Sequence, residues 1–109
     1  MKSNDVVSVY IAYSDIHGGK RRPVLVVKLD EKYIYVLRIT TKFANKSPQI
    51  QANYFKIDNW REAGLNQLSY IDVGEVEPLL RSKFENQITS IGSLHQADRV
   101  ALIEFIQNR

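Results

Sequence analysis

A chain of 109 residues with no cysteine, 44% apolar and 25% charged residues is sized for a single domain, residues 1–109. It excludes a disulfide scaffold, an iron–sulfur cluster, thiolate-bound zinc and intrinsic disorder. The longest apolar runs, residues 9–13 and 33–37, are far too short to span a membrane, and no secretory-type segment follows Met1. The expected setting is therefore the reducing cytoplasm, with no membrane partner. The net charge of +3 hides an asymmetry, a net +6 over residues 1–61 and a net −3 over residues 62–109. This points either to an anionic ligand on the basic half or to a solvated surface that happens to segregate.

In chain order, residues 5–13 predict a first strand, rich in β-branched and aromatic side chains. Residues 14–21 predict a polar loop broken by Asp15, Gly18 and Gly19. A second strand over 22–28 has Pro23 at its start, where a missing N–H is tolerated, and its apolar run reads as buried on both faces. A tight connection over 29–32 leads to a third strand over 33–40. There Ile34, Val36, Arg38 and Thr40 share one face, and Tyr33, Tyr35, Leu37 and Ile39 the other. Residues 41–48 predict another polar loop, and 49–57 a fourth strand. Asp58 is the expected cap of a helical turn over 58–63 that Gly64 ends. Further strands are predicted over 68–73 and 86–91, with a helical turn over 77–82 between them. A closing helix over 94–107 has Ser93 as cap, Gln96 completing a capping box, and Leu94, Ala97, Ala101 and Phe105 on its apolar face. Many short strands plus one terminal helix predict a mainly β fold, a small curled antiparallel barrel with short helices.

Common catalytic motifs are absent. There is no phosphate-cradling Gly-rich loop and no nucleophile elbow. His17 and His95 lack metal-ligand spacing, so neither a metal nor another cofactor is expected. Two basic clusters remain, Lys20-Arg21-Arg22 and Arg38-x-Thr40-Thr41-Lys42. Pro23 forces Arg22 into an extended backbone, which pre-organises its guanidinium for a phosphate. Pairing with a carboxylate at the barrel rim is the equal alternative. Thr40 and Thr41 are hydroxyl donors or ordinary strand formers. His17 is a proton-transfer group or a solvated loop residue. Tyr54 can stack on a base, whereas Phe55 and Trp60 are expected in the core.

Three segments in order, Asp5-Val6-Val7, Gly19-Lys20-Arg21-Arg22-Pro23-Val24-Leu25-Val26-Val27 and Ile39-Thr40-Thr41, carry a resemblance, together with Gly64-Leu65, Ser69-Tyr70-Ile71 and Ile88-Thr89…Asp98-Arg99-Val100. Over most of its length the chain resembles the MazF/PemK (Kid) family of type II toxin–antitoxin toxins. The resemblance implies an SH3-like barrel that forms a homodimer. It also implies a metal-independent endoribonuclease that cuts single-stranded RNA, mRNA included, to 2′,3′-cyclic phosphate and 5′-OH ends. A cognate acidic antitoxin would neutralise it, and its release would inhibit growth. The family's catalytic Arg falls on Arg22 and its Thr on Thr40, with His17 as a further proton-transfer candidate. Lys20, Arg21, Arg38, Thr41 and Lys42 become the expected RNA-binding residues. One departure stands out. Some members carry an Arg-x-Asp pair where this chain has Asp72-Val73-Gly74, which leaves Asp72 or Glu75 as substitutes. The alternative is a non-catalytic SH3-like barrel that binds nucleic acid or poisons a protein target such as a topoisomerase. The missing pair favours that alternative; Arg22 and Thr40 favour the enzyme.

Overall fold

In the computed structural model, which describes residues 1–12 and 19–109, two β-rich hairpin arms form the centre of the sheet. Strand β1 (Asp5–Ala12) runs antiparallel to β2 (Gly19–Leu29), and β2 to β3 (Tyr33–Thr40). The β2–β3 turn is held by Asp30, whose Oδ1 accepts from the backbone N–H groups of Lys32 (2.9 Å) and Tyr33 (2.7 Å). Carboxylates that fold back on their own backbone are a standard turn device.

Seven strands form one antiparallel sheet among the described residues. With β4 (Tyr54–Lys56), β5 (Tyr70–Asp72), β6 (Glu77–Leu80) and β7 (Thr89–Ser93), its order is β4-β5-β3-β2-β1-β7, with β6 also on β3. Strand β3 makes this possible by dividing one edge between two partners. Its first half pairs with β6 (Glu77–Leu80) and its last two residues with β5 (Tyr70–Asp72). The fold is mainly β and barrel-like, with short helices and a C-terminal helix, as the strand pattern predicts.

Both faces of the central strands are covered, so β2 buries consecutive side chains: Val24, Leu25 and Val26 are each 0% exposed. Val6, Leu25, Leu37 and Ile39 join one apolar cluster with Phe55, Ile57, Ile71 and Leu102. Val7, Val9, Val24, Val26, Ile34 and Val36 join a second with Leu79. The alternation expected along β3 holds, with even positions facing the second cluster until Arg38, which is exposed.

The outer elements depart from the sequence reading. Gly19, Lys20 and Arg21 are not loop but the start of β2, because each pairs with a β1 residue (Ala12, Ile11 and Tyr10). Pro23 consequently lies inside the strand. It stands opposite Ser8 one residue before pairing to β3 begins at Val24, where only one edge needs ladder donors. The region 49–57 is not one strand. Helix α1 (Pro48–Gln51) occupies its start and β4 (Tyr54–Lys56) its end. Ser47 caps α1 by accepting from Ile50 N–H, and Pro48 suits the first helical turn. The expected helical turn over 77–82 is mostly β6, since Leu79 gains burial by pairing opposite Ile34. Helix α2 (Arg81–Phe84) follows, then a 3-10 turn (Glu85–Gln87), which shifts the last strand to β7 (Thr89–Ser93).

Helix α3 (Gln96–Gln107) is capped by His95, whose Nδ1 accepts from Ala97 N–H at 3.1 Å. The predicted capping box does not form, because the Ser93 hydroxyl donates instead to Asp5 Oδ1 at 3.0 Å. Leu94 is buried and Ala101 and Phe105 pack on the core as expected, but Ala97 is exposed and Asp98 is buried. Phe105 meets Phe55 edge-on at 5.6 Å.

The 58–64 turn is capped by Asp98, not by Asp58. Asp98 accepts from Asn59 N–H at 2.9 Å and from Asp58 N–H at 3.3 Å. Gly64 ends the turn at φ +88°, and a Cβ there would sit 2.5 Å from the Ile91 carbonyl oxygen. Gly64→Ala is expected to destabilise the fold by about 1–3 kcal/mol, combining left-handed strain with a backbone clash. A melting temperature unchanged by this substitution would contradict that account.

Candidate phosphate cleft

Arg22 follows from the rigid start of the buried strand. It pairs opposite Val9 and precedes Pro23. On the other edge pairing to β3 starts with Val24 opposite Arg38; Arg22 lies two residues before Val24 and Thr40 two beyond Arg38, so both fall on the face those two share. Side chains across an antiparallel pair share a face. A cleft of about 100 Å³ opens there, lined by Arg22, Pro23, Ile39, Thr40, Thr41, Lys42 and Ser69. Arg22, Thr41 and Lys42 are exposed and Thr40 is half-buried.

The chemistry of this rim is that of an anion site. Two cationic side chains, Arg22 and Lys42, meet two threonine hydroxyls. Thr40 Oγ1 accepts from Lys42 N–H at 3.1 Å. That bond occupies a lone pair and leaves the hydroxyl hydrogen to donate. The same bond folds the chain after β3 so that Lys42 returns to the cleft. Ser69, by contrast, is buried and its hydroxyl donates to the Gln67 carbonyl at 2.9 Å. It shapes the cleft floor.

The other expected binding residues separate. Lys20 is exposed on β2 but does not line the cleft. Arg21 is committed to the protein. Its Nε donates to Ser8 Oγ (3.2 Å), and its Nη2 to Gln87 O (2.8 Å) and Thr89 Oγ1 (2.7 Å). The neighbouring basic residue of the same tripeptide thus ties β2 to β1 and β7. Arg38 makes a two-pronged pair with Glu77, Nη2–Oε1 2.7 Å and Nε–Oε2 3.1 Å. This bond and the Glu77 charge, with Glu75 and Asp72 beyond, push the guanidinium pKa up against the opposing effect of burial. His17 lies outside the described residues.

Neither Asp72 nor Glu75 lines the cleft. Asp72 closes an Asx turn by accepting from Gly74 N–H at 2.9 Å. Among the described residues no cluster of three or more His, Cys, Asp or Glu is placed to hold a metal ion, and no helix is long and apolar enough to cross a membrane.

A feature beside the cleft lies beyond the sequence reading. Phe43 stacks on Tyr70 with ring centroids 4.5 Å apart and planes 11° off parallel. Tyr54 joins them at 6.2 and 6.5 Å. Burial, and secondarily the Asp72 charge, push the Tyr54 phenol pKa up. Only Tyr54 was separable as a stacking candidate in the sequence, because the trio is assembled by the β3–β5 and β4–β5 pairings.

No protein-family model matches the chain, and no curated protein matches it in sequence.

Proposed function

We propose that the protein is a metal-independent endoribonuclease of the toxin type, cutting single-stranded RNA at the cleft between Arg22 and Thr40. The observation that carries this reading is the convergence of an exposed arginine, a second cation and a donor hydroxyl at one rim. In such a reaction the ribose 2′-oxygen bonds to the adjacent phosphorus, and the bond from phosphorus to the 5′-oxygen breaks. The 2′-hydroxyl proton passes to a proton-transfer group, with His17 the candidate, and the departing 5′-oxygen takes up a proton, with Arg22 the candidate donor. The substrate supplies its own nucleophile. Charge that builds on the non-bridging oxygens meets Arg22 and the Thr40 hydroxyl, and Lys42 holds the strand. Donors aimed at developing charge are the largest common source of rate enhancement.

The same reading makes the working unit a homodimer, whose two clefts flank a shared groove, and makes an acidic segment of an antitoxin the natural competitor for the basic rim. The test is incubation of the purified chain with a long single-stranded RNA in EDTA, followed by end analysis. New 2′,3′-cyclic phosphate and 5′-OH ends are expected. Intact RNA, bound but uncut, would replace the enzyme by a non-catalytic nucleic-acid-binding barrel.

A further inference from the structure

We propose that Phe43, Tyr54 and Tyr70 form a stacking wall that seats one unpaired base of the strand whose phosphate occupies the Arg22–Lys42 cleft. The inference rests on the reading of that cleft as a nucleic-acid phosphate site and adds to it the part of the substrate it grips.

Register places wall and cleft together. Tyr70 pairs directly opposite Thr40, so the two side chains share a face. Tyr54 pairs opposite Asp72, two residues along β5, and so shares that face as well. Phe43 follows Lys42, and Tyr70 follows Ser69, in each case the neighbour of a cleft-lining residue. All three rings are half-buried, so each keeps part of its surface in water. A phenylalanine in a short polar loop has no local reason to be held there. Yet its backbone is fixed: the Phe43 carbonyl accepts from Lys46 N–H at 3.0 Å and from Gln51 Nε2 at 2.9 Å. A ring so anchored is pre-organised, which lowers the ordering cost of binding.

The charges around the wall suit the same ligand. Lys42 and Lys56 flank it, both exposed, and Lys56 pairs opposite Tyr70. An aromatic surface between cations matches a backbone that alternates bases with phosphates. A base stacked inside a duplex offers no free face, so the ligand is single-stranded.

The experiment compares two labelled oligouridine strands by fluorescence anisotropy, one complete and one abasic. Both carry 2′-O-methyl groups so that binding is read without cleavage. The unaltered chain should bind the complete strand roughly tenfold or more tightly than the abasic one. Tyr70→Leu and Phe43→Leu keep apolar bulk and should erase that preference without weakening abasic binding. Melting curves of both variants confirm that they fold. The wall is overturned if the unaltered chain binds both strands equally or binds neither, or if folded variants retain the preference. Cleavage of unmodified RNA is scored in parallel. Base preference without cleavage keeps the wall and defeats the nuclease; cleavage with the preference unmoved by the substitutions does the opposite.

Discussion

Replacing Arg22 by alanine is expected to slow RNA cleavage by roughly 10²-fold or more, with the melting temperature close to that of the unaltered chain. The two halves of this expectation have different sources. The rate loss follows from the cleft: Arg22 and Thr40 line one opening of about 100 Å³, and the substitution takes the guanidinium out of it. The small stability change follows from exposure. Arg22 is exposed, while the next residues that form the core, Val24, Leu25 and Val26, stay fully buried. A contact of an exposed arginine contributes about 0–1 kcal/mol. Arg22→Lys keeps the charge but not the planar fork, so its rate should fall between the two. Thr40→Val should cost less than Arg22→Ala, because it removes one hydroxyl donor. It also removes the acceptor of Lys42 N–H, so part of its effect should appear as weaker RNA binding. Measured single-turnover rates beside thermal melts decide the matter. An Arg22→Ala chain that cuts at the normal rate, or that is inactive only because it unfolds, would return this arginine to a purely structural role.

Strands β1 to β3 are legible in the sequence because each carries its own period and its own apolar supply, and their hairpins are sequential. Thr40 at the end of one strand and Arg22 near the start of another could be expected together for the same reason. Farther along, the deciding contacts are distant ones. Glu77–Leu80 looks like a helical turn until β3 offers it an open edge, and only then does Leu79 find a buried place opposite Ile34. Tyr70 comes to lie beside the cleft, opposite Thr40, only when β5 pairs with β3. Basic clusters mislead in another way. Arg21 and Arg22 are adjacent in sequence but point to opposite faces of β2. One reaches Ser8, Gln87 and Thr89, and the other lines the cleft. Charge composition counts both alike; the pleat of the strand separates them.

Asp98→Ala is expected to be among the most destabilising single substitutions in the chain, at roughly 3–5 kcal/mol. Asp98 is 2% exposed and sits in the first turn of α3. A carboxylate there already interacts favourably with the helix N-terminus. Its two oxygens also accept from Asp58 and Asn59 N–H across about 40 residues of chain. Alanine would leave both donors without that acceptor, and each orphaned group costs about 1–3 kcal/mol. The loss would spread, because the turn so capped delivers Ala63, fully buried, and Trp60 to the core and leads into Gly64 against β7. For a domain of this size each kcal/mol moves the melting temperature by about 4–8 °C. Asp98→Asn is the finer test. Its amide keeps the shape and one carbonyl acceptor, so it should lose roughly half as much. Urea unfolding at constant slope would give both values. If Asp98→Ala costs under about 1 kcal/mol, then water or a shifted backbone satisfies the turn, and the link between α3 and the 58–64 segment is not what holds this side of the barrel together.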